Sequence, residues 1–64
     1  MGLKFYYGKK VIIVDTNGKS FVGTVNDYLF DDDNESGKES IVIDTPGGES
    51  IEFTEENIKS IDTV

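Results

Sequence analysis

Apolar and polar residues alternate along most of the chain with a period of two, and β-branched and aromatic residues fill the apolar positions between clusters of Gly, Asn, Asp, Ser and Pro. This pattern predicts strands joined by turns, five of them in all. Lys10 to Asp15 is the first and is apolar at Val11, Ile12, Ile13 and Val14, as in a strand covered on both faces. Leu3, Phe5 and Tyr7 supply that cover, and their alternation ahead of Gly8 speaks against a helix there without fixing the conformation. Asn17-Gly18 predicts a two-residue type I′ turn and a tight hairpin, because that turn needs φ > 0 at both central positions.

Along Ser20 to Phe30 the inward set begins as Phe21, Gly23 and Val25, but Tyr28, Leu29 and Phe30 then break the parity. The second strand must therefore bend or bulge. Gly23 is the natural bending point, since it has no Cβ to collide with a strand folded across it. Asp31 to Glu39 is a polar loop, Ile41 and Ile43 face inward on strand three, and Thr45-Pro46-Gly47-Gly48 makes the next turn. Ile51 and Phe53 face inward on strand four. Thr54 to Asn57 breaks the alternation, and the spacing of three between Ile58 and Ile61 suits a 3₁₀ turn entering a fifth strand that ends near Val64. The expected fold class is all-β. Residues 1–64 form one domain, a small five-stranded, strongly bent antiparallel barrel whose open edges are strands four and five.

At 64 residues such a domain buries only about 60% of its unfolded surface, so its core needs every apolar contact it can make. There is no Cys, His, Arg or Trp in the sequence. That excludes disulfides, an ordinary zinc site, Ser-His or Cys-His nucleophile pairs, and a bidentate phosphate fork. The net charge is −7, divided between a first part, residues 1–26, at +3 and a remainder at −10. Val11 to Val14 is the longest apolar run, far short of a membrane span, and no signal peptide is visible, so the expected location is cytoplasmic. Tyr6 stands where an N-myristoylation signal wants Ser or Thr.

Asp31-Asp32-Asp33-Asn34-Glu35 has the oxygen-rich look of a calcium loop, and a frame starting at Asp32 puts Gly37 at the sixth position. The frame then fails, with Ile43 at the twelfth position and strands as flanks, so no metal or other cofactor is expected. Glu55-Glu56 and the Asp31 to Asp33 run are paired carboxylates without a nucleophile or an oxyanion donor beside them, which argues against an enzyme. Tyr6, Tyr7, Tyr28 and Phe30 could stack bases while Lys9, Lys10 and Lys19 meet phosphates, although so acidic a chain has few cations for the purpose.

Taken together, the hydrophobic first strand, Asn17-Gly18-Lys19, Phe21-x-Gly23-x-Val25, the acidic Asn-bearing loop, Ile41-x-Ile43, Ile51-x-Phe53 and Ile58-x-x-Ile61 resemble the Sm-like family of SH3-like barrels over residues 8–62. The resemblance implies a bent five-stranded barrel, usually preceded by a short helix, that forms rings through strand four of one subunit and strand five of the next. It also implies RNA contacts from the loop after strand two, where Asn34 stands with a slip of about one residue, and from an Arg-Gly pair between strands four and five. Thr54-Glu55 occupies that second position, and an acid there repels phosphate. The expected function is a noncatalytic interaction module whose partner is a second copy or another protein. Its edge comprises Ile51, Glu52, Phe53, Ile58, Lys59 and Ile61. The alternative is RNA or DNA binding through Lys9, Lys10, Lys19, Tyr28 and Asn34.

Overall fold

Two hairpins closed by the same kind of turn make up most of the molecule. The computed structural model describes residues 2–30 and 38–64. In chain order they form a 3₁₀ turn η1 (Leu3–Tyr6), β1 (Lys10–Asp15), β2 (Ser20–Phe30), β3 (Glu39–Asp44), β4 (Ser50–Thr54), a 3₁₀ turn η2 (Glu55–Asn57) and β5 (Ile58–Thr63). The acidic loop and Asn34 lie outside the described residues.

In the β1–β2 hairpin the Gly18 N–H donates to the Asp15 carbonyl and the Asp15 N–H to the Lys19 carbonyl, each at 2.9 Å. Gly18 has φ 84°, and no non-glycine among the described residues has a positive φ. Asn17 therefore stays on the right-handed side. The connection is a type I turn followed by a left-handed glycine, a three-residue loop in place of the expected type I′ turn. The cause is Asp15, whose Oδ1 accepts from both the Asn17 and Lys19 N–H groups at 2.9 Å and holds the wider loop. The β3–β4 hairpin repeats the geometry, with Gly48 N–H on the Thr45 carbonyl, Gly48 at φ 87° and Thr45 Oγ1 accepting from the Glu49 N–H. Replacing Gly18 by valine is expected to lower stability by about 1 kcal/mol or more, because a β-branched residue is strained at that φ. A denaturant midpoint equal to that of the parent chain would remove the assignment.

β2 serves both halves of the molecule. Up to Thr24 it pairs with β1, and from Thr24 onward it pairs with β3. The register skips at Asn26, which is bulged between Val25 and Asp27, so Val25 and then Tyr28 turn inward. The parity change expected from the sequence is thus present, but the extra residue is Asn26. Gly23 has a different task, since a Cβ there would stand 2.7 Å from the Asp44 carbonyl oxygen.

The sheet order is β4-β3-β2-β1-β5, all antiparallel, with β4 and β5 as the two edges. No ladder joins β4 to β5, so the sheet is open and the closed barrel is not formed. It is nevertheless curled. These strands lie at opposite ends of the sheet, yet the three residues of η2 connect them, a span of no more than about 15 Å. Edge-to-face contact of Phe21 on β2 with Phe53 on β4, ring centroids 5.1 Å apart, marks the same closure from inside.

The enclosed core consists of Leu3, Val11, Ile13, Val25, Ile41, Ile43, Phe53 and Ile58, with Tyr6, Phe21, Tyr28, Ile51 and Ile61 packed partly against it. Leu3 is fully buried, whereas Phe5 and Tyr7 are 69% and 59% exposed. A 3₁₀ turn repeats every three residues, which puts Leu3 and Tyr6 on one inward face and turns Phe5 and Tyr7 away. The outer face of β1 is accordingly uncovered: Ile12 and its cross-strand partner Val22 are both exposed.

Candidate functional site

Hydrogen-bond alternation decides which backbone groups the two edges offer. The bonded pair Thr45–Glu49 closes the β3–β4 turn. Counting from it, Ile43–Ile51 and Ile41–Phe53 exchange bonds across the ladder, and the N–H groups of Ser50, Glu52 and Thr54 point away from β3. On the other edge the Val64 N–H donates to the Lys10 carbonyl at 3.0 Å. Asp62 and Ser60 then bond to β1, while Ile61 and Thr63 direct their N–H groups outward. Lys59 is the extra residue of a bulge opposite Val14 and Asp15, and the bulge lets Ile58 and Ile61 both turn inward despite their odd spacing.

The six residues expected at the edge therefore divide. Glu52 is exposed and carries an outward donor, and Ile51 and Ile61 are half-buried. Phe53 and Ile58, at 5% exposure each, are core residues. Lys59 is exposed but bulged, so it falls outside the regular alternation of outward donors. Ser50, Thr54 and Thr63 were missed. Counting parity from the bonded pair at the turn would have found the first two.

The residues nominated for nucleic acid are not gathered. Lys10 opens β1 opposite Thr24, and Lys19 sits in the turn at the far end of the same hairpin, about 17 Å away along the strand. Its ammonium lies 5.4 Å from the Phe21 ring centroid. Lys9 and Lys10 are exposed next to Tyr7, and Lys4 lies over the Phe5 ring at 5.8 Å.

Tyr28 faces acids. Glu39 accepts the Leu3 N–H at 2.9 Å through Oε2 and also takes the Tyr28 hydroxyl, so one carboxylate ties η1 to the sheet. Partial burial first, then the charge and hydrogen bond of Glu39 and the charge of Glu55, hold the Tyr28 phenol above its ordinary 10.0. A pKa raised in the folded state favours the protonated form. The associated stability is present below the unfolded value and is lost as pH rises through the folded one. Ultraviolet titration is expected to show a component ionising above pH 10.0 that is the one lost in Tyr28→Phe; loss instead of a component titrating at the ordinary value would refute the assignment. Nearby, Lys38 pairs with Glu56 in the middle of η2.

Among the described residues no group of His, Cys, Asp and Glu is placed to hold a metal ion, and no helix is long and apolar enough to cross a membrane. No protein-family model, curated protein or solved structure matches the chain.

Proposed function

We propose that this protein is a noncatalytic interaction module that self-associates by adding the β4 edge of one copy to the β5 edge of the next. The observation behind this reading is the pair of uncovered edges, with outward N–H groups at Ser50, Glu52 and Thr54 on one and at Ile61 and Thr63 on the other. Edge addition satisfies those groups and enlarges the buried area of a small core. Charge favours unlike edges. Pairing β4 with another β4 brings acids such as Glu52 together, which is destabilising, whereas β5 presents Lys59 alongside Asp62. The sheet order and the 3₁₀ turn between β4 and β5 are in keeping with an SH3-like or Sm-like barrel, the architecture from which the Sm-like resemblance implies rings.

A second reading, contact with RNA, draws on one observation: Lys4, Lys9 and Lys10 are exposed beside the uncovered rings of Phe5 and Tyr7. The same measurement tests both. Light scattering is expected to give a mass that is a multiple of the 7.1 kDa chain, unchanged by short single-stranded RNA. A monomer at micromolar concentration overturns the first reading, and an RNA-dependent rise in mass favours the second.

A further inference from the structure

Asparagine followed by glycine occurs once in the chain, at Asn17-Gly18, and the structure puts both residues in an exposed loop. An asparagine side chain is open to attack by the backbone nitrogen of the next residue, and the bulk of that next residue is the usual hindrance. Here there is none. Gly18 carries no side chain, and a Cβ built on it meets nothing within 4 Å. The other asparagines precede Asp27, Glu35 and the β-branched Ile58. The folded turn opposes the attack in one specific way, by engaging the nucleophile: the Gly18 N–H donates to the Asp15 carbonyl, and the Asn17 N–H is held on Asp15 Oδ1.

We propose that Asn17 is the chain's site of spontaneous conversion to isoaspartate, and that opening of the β1–β2 turn gates the reaction. The Gly18 nitrogen, its proton lost to a solvent base, attacks Asn17 Cγ. The N–Cγ bond forms, the Cγ–Nδ2 bond breaks, and Nδ2 takes up a proton and leaves as ammonia, closing a five-membered imide. Water then opens the ring. Addition at Cγ gives aspartate at position 17, and addition at the main-chain carbonyl carbon gives isoaspartate, with the chain running on through Cγ. No oxidant or second reactant is needed, since the only species consumed is water.

The β-linked product lengthens the main chain by one carbon inside a three-residue loop that must still bring the Asp15 N–H to the Lys19 carbonyl. It also adds a carboxylate next to Asp15. Both changes act against the hairpin, so a modified turn is expected to stay open more of the time.

The test is prolonged incubation of the whole chain at mildly alkaline pH, with and without urea, followed by proteolysis and mass spectrometry of the fragment between Lys10 and Lys19. The expected result is replacement of NH by O in that fragment alone. Isoaspartate should predominate over aspartate, and conversion should be several-fold faster in urea than in the folded protein. Gly18→Ala, measured in urea so that its effect on folding is irrelevant, should convert far more slowly. Equal conversion at Asn26, Asn34 or Asn57, or an unmodified fragment in urea, overturns the site. Equal rates with and without urea, in a sample shown by circular dichroism to be folded without it, overturn the gating.

Discussion

Gly23→Val is expected to abolish cooperative folding. The position is buried in β2 opposite Val11, and the end of β3 passes over it so closely that a Cβ would lie 2.7 Å from the Asp44 carbonyl oxygen and 3.1 Å from both the Asp44 carbonyl carbon and Ile43 Cδ1. Two of these three atoms are backbone, fixed by the Thr24–Asp44 pairing next to them, so no side chain can swing aside to make room. Overpacking a core costs typically about 1–3 kcal/mol, more where the backbone must move. The two valine methyls reach further than the Cβ. Against a total stability of roughly 3–10 kcal/mol for a chain of this size, a loss at or beyond the top of the overpacking range is a large share of what is available. Gly23→Ala is the graded companion, expected to lower the thermal midpoint while leaving a folded protein. If Gly23→Val melts within a few degrees of the parent, β3 does not cross β2 at this point.

Glu52→Pro is expected to convert the assembled protein to monomer. Proline deletes a backbone donor, and at Glu52 the deleted N–H points away from β3, so the internal β3–β4 ladder keeps its bonds. The side chain is exposed, so no core volume is lost. Circular dichroism must report a folded chain while light scattering reports the single-chain mass. Lys59→Pro would be a poor substitute, because Lys59 is the bulged residue of β5 and has no register partner in the ladder. Salt gives an independent check. Ladder bonds and apolar contacts tolerate 1 M salt, where the Debye length is about 3 Å, whereas an assembly held by Lys-to-acid pairs would come apart. Persistence of the oligomer in a folded Glu52→Pro chain would rule out β4 as the contact.

Period-two alternation carried most of the architecture, because an in-facing set such as Ile41, Ile43, Ile51 and Phe53 is imposed by the pleat itself. It reported the parity change in β2 as well, but could not distinguish a glycine that bends from an asparagine that bulges, since either restores the inward set at Tyr28. Asn17-Gly18 announced a hairpin correctly and its turn type wrongly. The deciding group was the Asp15 carboxylate two residues upstream, whose bonds to the Asn17 and Lys19 N–H groups select the three-residue loop. Leu3, Phe5 and Tyr7 alternate like a strand, yet the chain there coils with a period of three, because tertiary burial of Leu3 and the Glu39 bond to its N–H outweigh local pattern. The edge was legible as strands four and five. Its individual donors depend on ladder phase, which composition does not encode.

β1 sits between β2 and β5, so residues 58–64 complete a ladder begun at residues 10–15, with Val11 opposite Thr63 and Lys10 bonded to Val64. During synthesis, β1 can acquire its first neighbour as soon as β2 has emerged, but its second, β5, is the last of these five strands to be delivered. Until then the backbone edge of β1 is itself unprotected, and a nascent or truncated chain offers neighbouring copies the donors and acceptors that β5 later covers. Such a long-range closing step makes folding slower than local hairpin formation. It also puts that edge at risk of premature pairing while the chain is incomplete.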